Sequence, residues 1–189
     1  MGITNKTFGK TVSGKSQLVG GSGIAVGTGV AAIDTVGVVH QTVIDLSSVA
    51  MTGTDNTIMW FAEEIFNMPA GSTLILGATA DVSLLGSGGV KTGAEGDIAL
   101  GTITADVGGG LAGHDADIIA STAYTLSSFE ADVTARSAAI VNAGAPFDGS
   151  STATKVWFNA IVDSGDFTTT GVLTITGTVT LTWLSLGDY

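Results

Sequence analysis

One segment near the end of the chain constrains its fold more than any other feature. Within Val172–Leu186, the odd positions from Leu173 to Trp183 are apolar or glycine, and the five even positions between them are threonine. This period of two predicts a β-strand with one apolar face and one hydroxyl face. Because a slip of one residue would turn every threonine into the core, the register should be strongly fixed. We expect the odd face in the core and the threonine face on solvent or against a neighbouring protein.

The composition extends this prediction to the whole chain. Its 189 residues include 28 glycines, and glycine, threonine and serine together make up more than a third of the sequence. Threonine favours strands and glycine supplies turns, whereas the strong helix formers Glu, Lys, Gln and Arg are scarce. We therefore predict an all-β protein, an antiparallel β-sandwich or barrel without helical crossovers.

Further strands are predicted where apolar runs are bounded by turn residues. A bulge is expected at Gly77, and Gly86–Gly89 are expected to close the strand that contains it. Ser128–Val141 fits a short helix, although strands at its two ends fit as well. The candidate strands before the last one are Val36–Leu46, Ile58–Met68, Thr73–Leu85, Ile98–Ala105 and Lys155–Val162.

Residues 1–35 differ from the rest of the chain. Half of its six basic residues, Lys6, Lys10 and Lys15, lie in the first fifteen positions, and glycine recurs throughout this segment. Such a segment cannot form a compact core of its own. We predict an extended Gly-rich N-terminal arm at 1–35, which binds a partner through these lysines, and a sandwich domain at 36–189.

Charge and hydropathy narrow the range of partners. The net charge of −11 disfavours contact with phosphate backbones, so nucleic acid is not an expected partner. No apolar run approaches the ~20 residues of a membrane helix, and no membrane partner is expected. Only 12% of the residues are charged and the mean hydropathy is +0.48, which favours an oligomer or larger assembly that covers much of the surface.

Two motifs resemble chemical sites. Gly9–Ser16 matches the phosphate-binding loop pattern, but it lacks the preceding buried strand and the following helix, so we expect no nucleotide binding. His114, Asp115 and Asp117 are weak candidates for a metal site, and a solvated acidic loop is the preferred interpretation. Glu63 and Glu64 are adjacent and would point to opposite faces of a strand, so they cannot act as a carboxylate pair. We predict no catalytic residue, no enzymatic activity, no metal and no cofactor.

Five segments of strand and turn residues stand out as a group: Phe147–Asn159, Gly171–Trp183, Leu186–Tyr189, Gln41–Leu46 and Asn67–Gly77. Together they resemble a family of small virion proteins of tailed bacteriophages. The resemblance implies a jelly-roll-like sandwich that acts as a capsid decoration (cement) protein or other accessory head protein, bound to the major capsid protein or another virion protein. It offers no catalytic residues.

Trimers suit jelly rolls at three-fold positions of a capsid, so a homotrimer on the phage head surface, assembled in the host cytoplasm, is the expectation. The alternative is a host-receptor or glycan-binding domain of a phage tail or fibre.

Overall fold

The computed structural model describes residues 24–35, 39–53, 57–105, 109–137 and 141–187. Within these ranges the chain forms short 3₁₀ turns at Gly113–Asp115 and Val141–Gly144 and is otherwise built from β-strands and loops. The strands are β1 (Ile24–Ala25), β2 (Val30–Thr35), β3 (His40–Thr52), β4 (Met59–Asn67), β5 (Gly71–Val90), β6 (Glu95–Gly101), β7 (Ile119–Thr125), β8 (Glu130–Arg136), β9 (Phe147–Gly149), β10 (Lys155–Val162) and β11 (Phe167–Gly187).

The strands form two antiparallel sheets that enclose one core. Sheet A has the order β1-β4-β10-β6-β7, and sheet B has the order β2-β3-β11-β5-β8, with β9 paired to one end of β5. The chain changes sheet at each step from β3 to β6 and stays in sheet A for β7. It then crosses to sheet B for β8, returns to sheet A for β10 and crosses again to sheet B for β11. Eight of the strands form two four-stranded parts, β4-β10-β6-β7 in sheet A and β3-β11-β5-β8 in sheet B. Strands in this order, connected in this way, form a jelly roll. The predicted all-β antiparallel sandwich of jelly-roll type is therefore confirmed.

The alternating C-terminal segment forms the centre of sheet B. β11 pairs with β3 on one side and with β5 on the other. The odd side chains are fully buried between the sheets, as predicted: Leu173, Ile175, Val179, Leu181 and Trp183. The Trp183 indole also donates a hydrogen bond from Nε1 to Thr42 Oγ1 at 2.9 Å and stacks on His40. The long alternating strand is thus anchored by both apolar and polar contacts.

Two irregularities in sheet B explain where simple alternation fails. Opposite β11, strand β3 carries an extra residue at Ser47–Ser48, and Ser48 has a positive φ of 54°. This bulge moves the buried side chains from even positions to odd ones, so that both Leu46 and Val49 face the core. The bulge predicted at Gly77 is confirmed, because the register of β5 against β11 shifts between Ile75 and Gly77.

The middle of the chain departs from the sequence-based strand limits. β5 does not end at Gly86–Gly89, because these residues remain paired with β11 opposite Leu173 and Gly171. Of the two interpretations left open for Ser128–Val141, the helix is wrong: β8 occupies half of the segment, and its residues pair with β5. The β10 prediction matches the observed bounds.

The segment predicted as an arm contributes to both sheets. Its residues 24–35 form β1, which pairs with β4, and β2, which pairs with β3. Strand pairing therefore begins before residue 36. Residues 1–23, with Lys6, Lys10, Lys15 and the Gly9–Ser16 motif, lie outside the described residues.

Candidate functional site

The outer face of sheet B carries many hydroxyl side chains, and we call it the hydroxyl face. On β11, Thr178 lies between Asp45 of β3 and Asp81 of β5, and Thr180 lies between Val43 and Thr79. The other hydroxyl residues of this surface lie in neighbouring rows: Thr174, Thr176, Thr182, Ser83, Ser87 and Thr134. Since the partners of these side chains were not visible in the sequence, only the β11 row was predicted.

Hydrogen bonds within the hydroxyl face hold its acidic side chains in place. Thr134 Oγ1 donates to Asp81 Oδ1 at 3.0 Å, and Ser83 Oγ donates to Asp132 Oδ1. The outward-facing side chains of β11, from Thr174 to Thr182, are uncharged, and they lie between Asp45 of β3 and Asp81 of β5. Two apolar side chains lie exposed at the borders of the face, Ile33 (67% exposed) opposite Val43 and Leu85 opposite Thr174. The surface thus offers hydroxyl, carboxylate and apolar groups on a rigid sheet.

A groove runs between the edge strands of the two sheets. β7 ends sheet A and β8 ends sheet B on the same side of the sandwich among the described strands. The groove has a volume of about 700 Å³ and is lined by Thr122–Thr125, Ser127 and Glu130–Thr134. Its floor includes Tyr124, whose hydroxyl donates to the Ile161 carbonyl at 2.9 Å. Burial, followed by the nearby charges of Asp163 and Asp97, raises the pKa of Tyr124.

The loop between β6 and β7 contains the weak metal candidates. His114 Nδ1 lies 3.0 Å from Asp117 Oδ2, and the Thr102 backbone N–H and hydroxyl both donate to Asp117. Asp115 is buried nearby, and its backbone carbonyl accepts a hydrogen bond from Asn159. In the described part of the chain, no group of three or more His, Cys, Asp or Glu side chains is placed to hold a metal ion. Asp117 is thus engaged in holding the turn at Thr102.

Asn159 is a structural residue that the sequence interpretation missed. It lies on the outer face of sheet A and is fully buried by this loop. Its Oδ1 accepts from the Ala105 N–H at 2.9 Å, and its Nδ2 donates to the Ile103 and Asp115 carbonyls at 2.9 and 2.8 Å. A lone amide inside the apolar strand Lys155–Val162 was the available signal, because buried polar groups need partners.

Glu63 and Glu64 separate as predicted. Glu64 is opposite Trp157 on the outer face of sheet A and forms an ion pair with Lys155 at 2.5 Å. Glu63 is opposite the buried Phe158. The Glu63 carboxylate lies close to Gly27, because a Cβ atom placed on Gly27 would be only 2.8 Å from Glu63 Oε1. Partial burial, and then repulsion from Glu64, raises the pKa of Glu63. The two carboxylates are therefore not placed as a catalytic pair.

The aromatic side chains divide between the core and the outer face of sheet A. Phe61, Phe66, Phe158 and Trp183 are fully buried, as predicted for core packing. Trp60 and Trp157 are only half-buried. Lys155 Nζ lies over the Trp157 ring, 5.7 Å from its centroid.

Comparison with known proteins adds little to this geometry. No protein-family model and no curated protein matches the chain. A solved structure described as "CBM4 structure and function" is 13% identical, with a TM-score of 0.35, over 69% of this chain and 92% of its own. We draw nothing about ligand or activity from this likeness. Within the described ranges, no helix is long and apolar enough to cross a membrane.

Proposed function

We propose that the protein is a structural virion protein of a tailed phage, a capsid decoration (cement) protein on the head surface. In this proposal it has no catalytic role and stabilises the shell by binding the major capsid protein or another virion protein. The sequence segments that resemble small phage virion proteins support this assignment, and so does the jelly roll that this resemblance implies. Folds are shared by many functions, so the proposal depends on a surface suited to protein contact.

The hydroxyl face is the observation that carries the proposal. Five strands spaced by ~4.8 Å make it about 24 Å wide, and the rows from Thr174 to Thr182 extend about 30 Å at ~3.3 Å per residue. The resulting area of about 700 Å² approaches the ~800 Å² that each partner contributes to a standard protein interface. One face of the sandwich is therefore large enough for a stable contact with the capsid.

The side chains of this face also suit a protein contact. Threonine is stiff at χ1, so a threonine on a paired strand loses little conformational freedom when a partner covers it. Its hydroxyl can donate and accept, which allows hydrogen bonds to either kind of backbone group on a capsid subunit. Ile33 and Leu85 add apolar contact at the borders of the face. We place the hydroxyl face against the capsid on these grounds.

Titration of the full-length chain onto phage particles prepared without it tests the proposal. Wild-type protein should bind saturably. Thr178→Arg combined with Thr180→Arg should weaken binding by about tenfold or more, because two long side chains would occupy the centre of the interface. Asp45 and Asp81 beside Thr178 can pair with the new guanidinium, so the variant should remain folded.

Thr92→Arg is the matched control, because Thr92 is exposed in the turn between β5 and β6, away from the hydroxyl face. This variant should bind particles as the wild type does. Failure of the wild-type protein to bind particles would contradict the decoration function itself. Equal binding by the wild type and the double variant would contradict the docking face only.

The half-buried Trp60 and Trp157 favour a second candidate, recognition of a host glycan by a tail or fibre domain. Aromatic rings with an accessible face can stack on sugars. However, Lys155 already covers part of the Trp157 ring. Binding of host surface glycans that is lost in Trp157→Ala, without binding to phage heads, would support this second function over the first.

A further inference from the structure

We propose that the groove between β7 and β8 receives the N-terminal segment of a second copy of this chain. The segment, residues 1–23, would add as an extended strand to an open sheet edge. A ring of identical subunits would then be linked from arm to groove. This inference concerns self-assembly and does not depend on the virion function.

The groove has the geometry of an acceptor for a strand. Among the described strands, β7 pairs only with β6 and β8 pairs only with β5, so each has one edge without a neighbouring strand. Such edges present backbone N–H and C=O groups that can pair with an added strand. β7 and β8 are each seven residues long, which gives room for a strand of about 23 Å. Small side chains, Ala123 and Thr122 among them, line the groove and leave its edges accessible.

The charges of groove and segment are complementary. Glu130 and Asp132 line the groove, and none of its lining residues in the described part of the chain is basic. Asp97 lies opposite Ala123 in the next strand, which adds a further negative charge beside the groove. Residues 1–23 carry three lysines and no acidic residue, whereas the rest of the chain carries all seventeen acidic residues. Attraction of this kind steers association and fixes its orientation.

The position of β1 favours a second copy over the segment's own groove. Ile24 pairs with Asn67 of β4, at the edge of sheet A opposite to β7. The point at which the segment joins the sandwich therefore lies at the sheet edge farthest from its own groove. An extended segment of 23 residues spans up to about 75 Å, enough to reach a neighbouring molecule. Because arm and groove are different surfaces, the contact is head-to-tail, and such contacts close into rings when the rotation allows. The expected trimer would be one such ring.

Charge reversal in the full-length chain tests the contact. In sedimentation velocity at low ionic strength, the wild type should form a closed oligomer. Glu130→Lys with Asp132→Lys should raise the dissociation constant by about tenfold or more, since two attractive pairs become repulsive. Lys6→Glu, Lys10→Glu and Lys15→Glu together should do the same. Combining both sets in one chain should restore assembly, because the charges then match again.

Controls separate this contact from loss of folding and from net charge. Asp148→Lys, at an exposed position of β9 away from the groove, should leave assembly unchanged. Thermal melting by circular dichroism should show each variant folded. A synthetic peptide of residues 1–23 in excess should dissociate the wild-type oligomer, and hydrogen exchange should show β7 and β8 amides protected only in the oligomer.

Three results would overturn the proposal. A wild-type chain that is monomeric at all concentrations would exclude contact between copies and would point to the chain's own segment or another partner in the groove. Assembly that survives reversal of Glu130 and Asp132 would place the contact elsewhere. Loss of assembly in both charge-reversed sets without rescue in the combined variant would show that the two charged groups do not meet.

Discussion

At the residue scale, Asn159 fixes the loop between β6 and β7 against the outer face of sheet A. Its side chain satisfies the Ala105 N–H and the Ile103 and Asp115 carbonyls. These backbone groups belong to the loop between β6 and β7, which closes over Ala99 and Ile161. A single side-chain amide thus provides hydrogen bonds that a neighbouring strand would otherwise supply, because it can both donate to and accept from the backbone of this loop.

Replacing this amide should loosen the loop. Asn159→Ala leaves three backbone groups without their partner, two of them buried, which should lower the free energy of unfolding by about 2–3 kcal/mol. Asn159→Asp is the informative comparison, because it keeps an acceptor for the Ala105 N–H but loses the two donated bonds. Denaturant unfolding gives the stability, and hydrogen exchange gives the local effect at Ala105. Unchanged exchange at Ala105 in Asn159→Ala would contradict the anchoring role.

Glu63 makes stability depend on pH. Its pKa is raised above the ordinary 4.5 by burial and then by Glu64. The folded state therefore holds this proton more tightly than the unfolded chain, and stability falls as the pH rises from 4.5 through the folded-state pKa. Glu63→Gln should raise the melting temperature at pH 7, and the gain should disappear below pH 4.5. Glu95→Gln, at an exposed position of β6, is the control. A gain that persists in acid would show that charge is not its cause.

At the element scale, the two faces of β11 should respond oppositely to substitution. Trp183→Ala removes a fully buried indole, its hydrogen bond to Thr42 and its stacking on His40. It should cost about 3–5 kcal/mol, a large part of the stability of an ordinary domain. Thr178→Val on the hydroxyl face should change stability by less than about 0.5 kcal/mol, because valine suits a strand equally well. If denaturant unfolding showed a large loss of stability in Thr178→Val and none in Trp183→Ala, the assignment of the two faces would be wrong.

The strands that were predictable are those whose pattern is local. β10 and β11 have a continuous apolar or alternating sequence, and their prediction required no knowledge of their neighbours. The Ser47–Ser48 bulge and the passage of β5 through Gly86–Gly89 were not predictable, because both depend on pairing with β11 far along the chain. Likewise, the threonine row could be predicted from β11 alone, while the groove arises only where two sheet edges meet.

At the scale of the whole molecule, basic, acidic and uncharged residues are concentrated in different parts of the chain. Residues 1–23 are basic, the sandwich is acidic, and the centre of its hydroxyl face is uncharged. A basic segment suits an acidic groove on a neighbour. The uncharged β11 row can meet a capsid without burying a charge of its own, and a partner would have to match Asp45 and Asp81 on either side of it. The low fraction of charged residues then follows from how much of the surface we propose to be covered in the assembled particle.

Counting this chain in purified particles tests the central proposal most directly. If the proposal is right, quantitative mass spectrometry of virions of the phage carrying this gene should give on the order of hundreds of copies per particle, because an icosahedral head repeats each binding site many times. Nuclease-treated, tail-free heads should retain the same number of copies as whole virions. Absence of the chain from particles, or its presence in about a dozen copies that separate with the tails, would contradict a head decoration protein.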